Sequence, residues 1–240
     1  MIEAISLTKS FRTDTTVVIA VNDVHLDVKQ GEFVLILGRS GSGKSTLLGM
    51  LAGLIRPTSG IVRIHGNEIG GLSENKTAEV RAKEIGFVFQ FSGLIPTITA
   101  VENVMLPTLF YPDGPGSRSR AVELLNKVGL SEREDAYPST LSSGEMKRVA
   151  IARALINGPP IIIADEPTGD LDVDTEIEIM ELFKNVNREG TTIVMVTHNP
   201  DLVPYANRIY GMVKGKLVKD PESFCIRTWK AEPGSHAEME

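Results

Sequence analysis

The stretch LGRSGSGKSTLLGMLAG, residues 37–53, sets flexible residues between two structured segments. An apolar run, EFVLIL, comes before it and predicts a buried strand, while LLGMLAG at its end has helical spacing. Residues 38–45 fit the pattern G-x-x-x-x-G-K-[ST]. Glycines let consecutive backbone N–H groups surround an anion, and the following helix presents its positive N-terminus to the same anion. An ordinary glycine-rich turn is the alternative, but the full pattern between strand and helix favours a phosphate-binding loop.

Each residue of this loop has a chemical reason to be there. Lys44 can reach the terminal phosphates of a nucleotide, and Ser45 can place its hydroxyl on Mg²⁺. The other candidate phosphate-binding residues of the loop are Gly38, Ser40, Gly41, Ser42, Gly43 and Thr46. The motif alone predicts a P-loop nucleotide binder, a class that includes kinases, GTPases and ATPases.

A second candidate site lies in IIIADEP, residues 161–167, where an apolar strand ends in two carboxylates. Asp165 would support Mg²⁺, often through a water molecule. Glu166 would act as the general base on the attacking water. Acidic residues at a strand end are usually solvated loop residues, but the phosphate loop upstream favours the functional interpretation. The second carboxylate favours hydrolysis over transfer to a bound acceptor.

The pattern along the chain predicts an α/β fold: a P-loop NTPase core with a mostly parallel sheet. An antiparallel β subdomain comes early in the chain, and a mostly helical subdomain is inserted at about residues 91–156. Asn199 is predicted to cap a short helix, and Lys214-Gly215 to turn a hairpin. One domain is expected over residues 1–219, followed by a polar C-terminal tail, 220–240.

Composition narrows the function classes. The 240 residues are 42% apolar and carry a net charge of −6, which argues against a general nucleic-acid binder. The single cysteine, Cys225, excludes an intrachain disulfide and suits a reducing compartment. No run approaches the roughly 20 apolar residues that span a bilayer, and no signal peptide is recognisable. We therefore expect a cytoplasmic protein.

A third segment, LSSGEMKRVAIARAL (141–155), resembles the signature of the ATP-binding-cassette (ABC) ATPases, L-S-G-G-Q followed by a basic-rich helix. The resemblance covers nearly the whole chain up to about residue 219. The family's other motifs occur in the family's order. These are the aromatic Phe11, the phosphate loop, Gln90, the signature, ADEP, GDLD and His198. A single such motif is weak evidence, whereas the ordered set is very specific.

The resemblance implies roles for residues that mean little alone. Phe11 would stack on the adenine of ATP, although a core aromatic is the alternative. Gln90 would reach Mg²⁺ and the attacking water, and would link the core to the helical insertion. Asp172 would lie at the contact between two such domains, and His198 would contact the γ-phosphate. The implied cofactors are ATP and Mg²⁺.

The signature departs from the family pattern at one position. By resemblance, Ser142, Ser143 and Gly144 would complete the nucleotide site of a second copy, so that ATP binding produces a homodimer. Ser143 stands where the family has glycine. If that position needs a positive φ or a close approach to phosphate, serine would cost about 1 kcal/mol or crowd the nucleotide. The same residues also fit a capping box, with Ser142 and Glu145 at a helix start.

Residues 89–107, FQFSGLIPTITAVENVMLP, resemble the branch that contains lipoprotein-release, macrolide-export and cell-division ATPases. That branch implies an integral-membrane permease as partner, here a separate subunit that holds this chain at the inner face of the membrane. Apolar residues in 91–107 would dock that partner, or would simply pack the helical subdomain. The alternative function is a soluble ABC-type ATPase in assembly or repair. The signature and GDLD argue against a metabolic kinase.

Overall fold

The structure is a computed structural model that describes residues 1–13 and 15–219. The predicted tail, 220–240, and its Cys225 lie outside the described residues. No helix among the described residues is long and apolar enough to cross a membrane.

The larger sheet has six strands in the order β10-β9-β3-β8-β7-β6. Its strands are β3 Phe33–Leu37, β6 Ile85–Val88, β7 Ile161–Asp165, β8 Thr192–Thr197, β9 Arg208–Val213 and β10 Lys216–Lys219. All neighbours are parallel except β9 and β10, which form the predicted hairpin at Lys214-Gly215. The mostly parallel core predicted from the sequence is therefore confirmed.

The smaller sheet is antiparallel, as predicted, with the strand order β2-β1-β4-β5. It consists of β1 Ile2–Arg12, β2 Val17–Val28, β4 Ser59–Ile64 and β5 Asn67–Glu68. The sequence analysis missed β5, whose two residues are too few to show an alternating pattern. Strand β2 runs along one edge of this sheet and passes beside the phosphate loop.

The described residues also form three short 3-10 helices and six α-helices, which are α1 Lys44–Leu51, α2 Glu74–Glu84, α3 Ala100–Met105, α4 Arg118–Lys127, α5 Ser143–Leu155 and α6 Val173–Arg188. Helices α3, α4 and α5 follow one another between β6 and β7, where the sequence predicts the helical insertion. The short helix predicted after Asn199 is a 3-10 helix, Pro200–Tyr205, and the Asn199 side chain caps it by accepting a hydrogen bond from the Asp201 N–H.

The central strand β3 joins two hydrophobic cores because its side chains alternate between the two faces of the sheet. Phe33, Leu35 and Leu37 pack with α3 to α6 on one face. Val34 and Ile36 pack with α1 and the antiparallel sheet on the other. Because β3, β8 and β7 are parallel neighbours, their carboxyl ends lie at the same edge of the sheet. This edge is where ligands bind in parallel sheets.

Candidate functional site

The phosphate loop follows β3 and ends at Gly43, which has a left-handed backbone with φ of 107° and precedes α1. A Cβ atom at this position would lie 2.1 Å from the carbonyl oxygen of Ala20 in β2. Only glycine tolerates both the left-handed backbone and the lack of space for a Cβ atom. The first N–H groups of α1 have no partner within the helix, so they face the loop as anion donors.

The hairpin formed by β9 and β10 holds the phosphate loop through backbone hydrogen bonds. The N–H of Gly215 donates to the carbonyl oxygen of Ser42 at 2.9 Å, and the Gly215 carbonyl accepts from the Asn22 N–H at 2.8 Å. Lys214 and Gly215 have φ values of 45° and 80°, so both central residues of the turn are left-handed. The turn thereby joins the phosphate loop to strand β2.

Lys44 begins α1, and its side chain is only 4% exposed. Its ammonium donates to the carbonyl oxygens of Gly38 at 2.7 Å and Arg39 at 3.1 Å. Its third close partner is Oε1 of Glu166, at 3.1 Å. The lysine of the phosphate loop and the predicted general base therefore form an ion pair across the site.

Ser45 and Asp165 bring the ends of two elements together. The Ser45 hydroxyl donates to Oδ1 of Asp165 at 3.1 Å. Burial raises the pKa of the Asp165 carboxyl, and the negative charge of Glu166 adds to that, while Ser45 and Lys44 act in the opposite direction. Burial makes the charged form of Asp165 unfavourable, and a divalent cation would stabilise that form. A carboxylate next to a hydroxyl is therefore a suitable site for such a cation.

Glu166 directly follows β7 and has a left-handed backbone, with φ of 44°. A non-glycine residue in this conformation is strained by about 1–3 kcal/mol, and such strain concentrates at functional sites. Its Oε2 lies 2.7 Å from Nδ1 of His198, which follows β8. Burial acts to raise the pKa of Glu166, but hydrogen bonds from Lys44 and His198 outweigh it and lower the pKa. The carboxyl is thus held ionised, as a proton acceptor needs to be.

These residues surround an open cleft of about 620 Å³. Its lining residues are Ala20, Arg39, Ser40, Gly41, Gly43, Lys44, Ser45, Thr46, Gln90, Glu166 and His198. The structure therefore brings together most of the residues predicted to bind the phosphates of ATP and to hydrolyse ATP.

Phe11 is not among the residues that line the cleft. It lies in β1 opposite Val18, is 43% exposed and has the Lys9 ammonium 5.2 Å from its ring centroid.

The signature residues lie apart from this cleft, at the N-terminus of α5. The predicted capping box is present: the Ser142 side chain accepts from the Glu145 N–H, and the Glu145 carboxylate accepts from the Ser142 N–H. Ser143 is exposed and is the first residue of α5, so the hypothesis that residue 143 needs a positive φ is wrong. In this helical conformation, serine introduces no backbone strain relative to glycine.

Gly144 marks a close contact between α5 and α6. A Cβ atom at Gly144 would lie 2.7 Å from Cγ2 of Thr175. Asp172 caps α6 by accepting hydrogen bonds from the N–H and the hydroxyl of Thr175. The signature and GDLD, far apart in sequence, are thus neighbours within one chain.

The sequence analysis missed Glu176, which joins two loops of the site. Its Oε1 accepts from the Thr168 hydroxyl at 2.6 Å, and its Oε2 accepts from the Asn199 amide at 2.9 Å. Thr168 follows the ADEP segment and Asn199 follows His198, so Glu176 holds both loops on α6. No local pattern singles out this residue, because its partners come from separate segments.

A strand–loop–helix phosphate cradle, with an ionised carboxylate held beside it, defines a P-loop ATPase. The family described as ABC transporter matches residues 21–169. The chain belongs to this family and is an ATP-binding subunit that hydrolyses ATP.

Several curated relatives are similar over nearly the full chain. An uncharacterized ABC transporter ATP-binding protein, MJ1508 of Methanocaldococcus jannaschii, is 46% identical over 91% of this chain and 98% of its own length. The lipoprotein-releasing system ATP-binding protein LolD of Geobacter metallireducens is 44% identical over 92% of this chain and 99% of its own length. The macrolide export ATP-binding/permease protein MacB of Chlorobaculum tepidum is 43% identical over 92% of this chain, but this chain spans only 34% of its length.

A solved structure of the ATP-binding cassette MJ0796 has the same fold. It is described as the dimeric structure of a post-hydrolysis state bound to ADP and Pi. It superposes with a TM-score of 0.85 at 41% identity and covers 91% of this chain and 97% of the other. The predicted fold class and ABC membership are therefore confirmed.

Proposed function

We propose that this chain is the ATPase subunit of a transporter whose membrane-spanning part is a separate polypeptide, and that it works at the inner face of the membrane. The observation that carries the proposal is an apolar surface around the groove between β6 and α5. This groove has a volume of about 360 Å³, and Phe87, Phe89 and Pro107 contribute to its lining.

Large apolar side chains are exposed around this groove and in the segments that border it. They are Phe89 (46% exposed), Phe91 (73%), Ile95 (42%), Leu109 (72%) and Phe110 (69%). A soluble monomer rarely exposes so many large apolar residues in one region unless a partner covers them. The groove also contains two cationic side chains, Arg81 and Arg153. We propose an amphipathic segment of the membrane subunit as the occupant, with apolar residues in the groove and acidic residues at its edge.

The names of relatives support this partner. MacB is described as an ATP-binding/permease protein, in which both functions share one chain about three times as long. LolD is described as an ATP-binding protein of a lipoprotein-releasing system, and this chain spans 99% of it. The description of LolD as one ATP-binding protein of a larger system supports a permease partner on a separate polypeptide. Export, lipoprotein release and transmission of mechanical work are the candidate uses of that coupling.

The site residues suit ATP with Mg²⁺. The described residues contain no group of three or more His, Cys, Asp or Glu side chains that could hold a metal. Mg²⁺ needs no such group, since it keeps several waters and uses one or two carboxylates plus substrate phosphates. Ser45, Asp165 and Gln90 would hold the ion. Mg²⁺ held by these residues would supply positive charge that offsets the negative charge developing on the transferred phosphate.

For hydrolysis we propose that Glu166 accepts the proton of the attacking water. Its Oε1 and Oε2 are fixed by Lys44 and His198, so the carboxylate has a defined direction before substrate arrives. Lys44 would exchange this partner for the terminal phosphates, and His198 would donate to the γ-phosphate. Phe11 would stack on the adenine, since it lies on the antiparallel sheet whose Ala20 borders the cleft.

We further propose that ATP joins two copies of the chain head to tail. Ser142, Ser143 and Gly144 lie outside the cleft of their own chain, so they would complete the cleft of the partner copy. Asp172, whose side chain caps α6 next to Gly144, would lie at the same contact. The dimeric structures of MJ0796 support this arrangement.

Co-purification with the membrane protein encoded beside its gene tests the proposed partner. The two proteins are expected to elute together in detergent, and the membrane protein should change the ATPase rate. Phe91→Glu, which puts a charge on the apolar surface, should abolish co-elution and leave the melting temperature and the ATP dissociation constant unchanged, because Phe91 is exposed and does not line the cleft. Lys76→Glu, at an exposed position of α2 that does not line the groove, is the matched control and should co-elute. A Phe91→Glu variant that co-elutes as well as the unsubstituted chain would contradict the proposed docking surface.

A further inference from the structure

The segment 89–93 connects β6 to the helical part of the chain, and two cations of α5 hold it by its backbone. The Lys147 ammonium donates to the carbonyl oxygen of Gln90 at 2.5 Å and to that of Phe89 at 3.4 Å. The Arg153 guanidinium donates to the carbonyl oxygens of Gly93 at 2.8 Å and Ser92 at 2.7 Å. Four of the five carbonyl groups in this segment therefore accept from α5.

The two cations are shielded from water to different degrees, since Lys147 is buried and Arg153 is half-buried. Lys147 is only 3% exposed. Burial lowers its pKa, and the negative charge of Asp170 opposes that. Burial also lowers the pKa of Arg153. An unpaired buried cation is strongly unfavourable, so α5 cannot move away from the segment unless new partners replace these carbonyl groups.

Gln90 is the residue of this segment that lines the cleft. Its side chain lines the cleft with Lys44, Ser45 and Glu166, while its carbonyl group is bonded to Lys147. Strand β6 ends at Val88 and is paired with β7 in the core. The joint between core and helical part therefore lies just before the segment, and Gln90 is on the helical side of it.

We propose that Lys147 and Arg153 are positioning residues, whose bonds to the backbone of segment 89–93 fix the place of the Gln90 side chain in the cleft. This inference rests on the proposed role of Gln90 in the hydrolysis site. Arg153 also lines the β6–α5 groove, so the docking surface and the segment share one side chain.

The test separates positioning from simple stabilisation. Lys147→Met keeps the aliphatic stem and removes the donors. It is expected to leave the ATP dissociation constant and KM within about twofold, because Lys147 does not line the cleft. It should lower kcat at least tenfold, and Lys147→Arg should restore most of that loss. The control is Arg148→Met, since Arg148 bonds to the carbonyl group of Val128 and to Glu178 instead of segment 89–93. It should lower the melting temperature without a specific loss of kcat.

A double-mutant cycle with Gln90→Ala decides whether Lys147 acts through Gln90. The variant Gln90→Ala/Lys147→Met should be no slower than Gln90→Ala alone. If the two losses of kcat multiply, or if Arg148→Met loses as much kcat as Lys147→Met, the positioning role is wrong. If Gln90→Ala alone keeps full activity, the proposed role of Gln90 fails instead. Should Lys147→Met not fold, Arg153→Lys, which keeps the charge but not both donor directions, provides the same cycle.

Discussion

The carboxylate of Glu166 and the ammonium of Lys44 lie 3.1 Å apart, although 122 positions separate the two residues in the chain. This ion pair places the predicted base directly across from the predicted phosphate ligand. It also keeps Glu166 ionised, because the hydrogen bonds from Lys44 and His198 outweigh the effect of burial on its pKa.

Replacement of Glu166 by glutamine tests the assigned base. The amide keeps the shape of the side chain but cannot accept the proton of the attacking water. We expect ATP binding to persist and kcat to fall by a factor of about 10²–10⁴. Steady-state phosphate release and fluorescent nucleotide titration measure the two properties. Near-normal turnover in the purified variant would remove Glu166 from this role.

The same variant tests the shared nucleotide site. With ATP, Glu166→Gln should double its mass in light scattering, whereas with ADP it should remain a monomer, because in the proposed arrangement only the γ-phosphate would reach both chains. Lys44→Ala, which removes the phosphate ligand, is the control and should stay monomeric with either nucleotide. One mass for Glu166→Gln with both nucleotides at every concentration would contradict the head-to-tail arrangement.

Asp165 and Glu166 should affect stability in opposite directions as pH changes. The folded pKa of Asp165 is raised above its ordinary value of 3.8, so its charged form destabilises the fold once the pH exceeds the folded pKa. Asp165→Asn should therefore raise the melting temperature at pH 7, and this gain should disappear as pH falls through 3.8.

Glu166 has a lowered folded pKa, so its charge stabilises the fold above the ordinary value of 4.5, and this contribution is lost as pH falls through the folded pKa. Glu166→Gln should accordingly lower the melting temperature at pH 7. Thermal melts of both variants at several pH values are the measurement. Shifts of the same sign for the two variants at pH 7 would show that the opposing pKa directions are not what governs them.

Neighbouring signature positions should differ sharply in tolerance. Ser143 is exposed, and Ser142 already caps α5, so Ser143→Gly should change the free energy of unfolding by only a few tenths of a kcal/mol. Gly144→Ala would put a methyl group against Thr175, an overpacking that costs about 1–3 kcal/mol. Urea unfolding measures both. Thr175→Ser removes the opposing methyl and should rescue Gly144→Ala, and a double variant as unstable as Gly144→Ala would exclude this contact as the cause.

The loop after His198 should depend on an amide at position 199. Asn199→Asp keeps the cap of the following 3-10 helix but replaces the donor to Glu176 with a second carboxylate. Loss of a hydrogen bond to a charged group costs about 1–3 kcal/mol, and kcat should fall as the loop shifts. Glu176→Gln should restore both properties in the double variant. Melting temperature and ATPase rate are measured together, and an unaffected single variant would argue against the coupling.

The sequence predicted local features of this site well. Gly43, Asn199 and the Lys214-Gly215 turn follow from short-range rules on φ, capping and hairpins, and the structure has each of them. The motifs and their order also predicted that Lys44 and Glu166 lie in one site. Their mutual ion pair, however, depends on how β3 and β7 are arranged in the sheet, which no short-range rule specifies.

Other features depend on contacts between distant segments and left no local pattern. Lys147 looks like one more basic residue of the signature helix, and only the folded chain brings it to the carbonyl group of Gln90, 57 positions away. Ser143 shows the converse. Comparison with a family pattern suggested a demanding backbone, whereas the capping box beside it already predicted the helical conformation that the structure has.

The turn at Gly215 limits how short a working fragment can be. Because Gly215 bonds to both Ser42 and Asn22, the end of the described chain helps to shape a loop that is formed by its first quarter. A truncation placed after the 3-10 helix Pro200–Tyr205 would keep the motifs that bind and hydrolyse ATP, His198 included, and still remove the support of the phosphate loop. Expression of a minimal unit, or grafting of this cassette onto another protein, therefore has to carry the strands β9 and β10 along with the motifs.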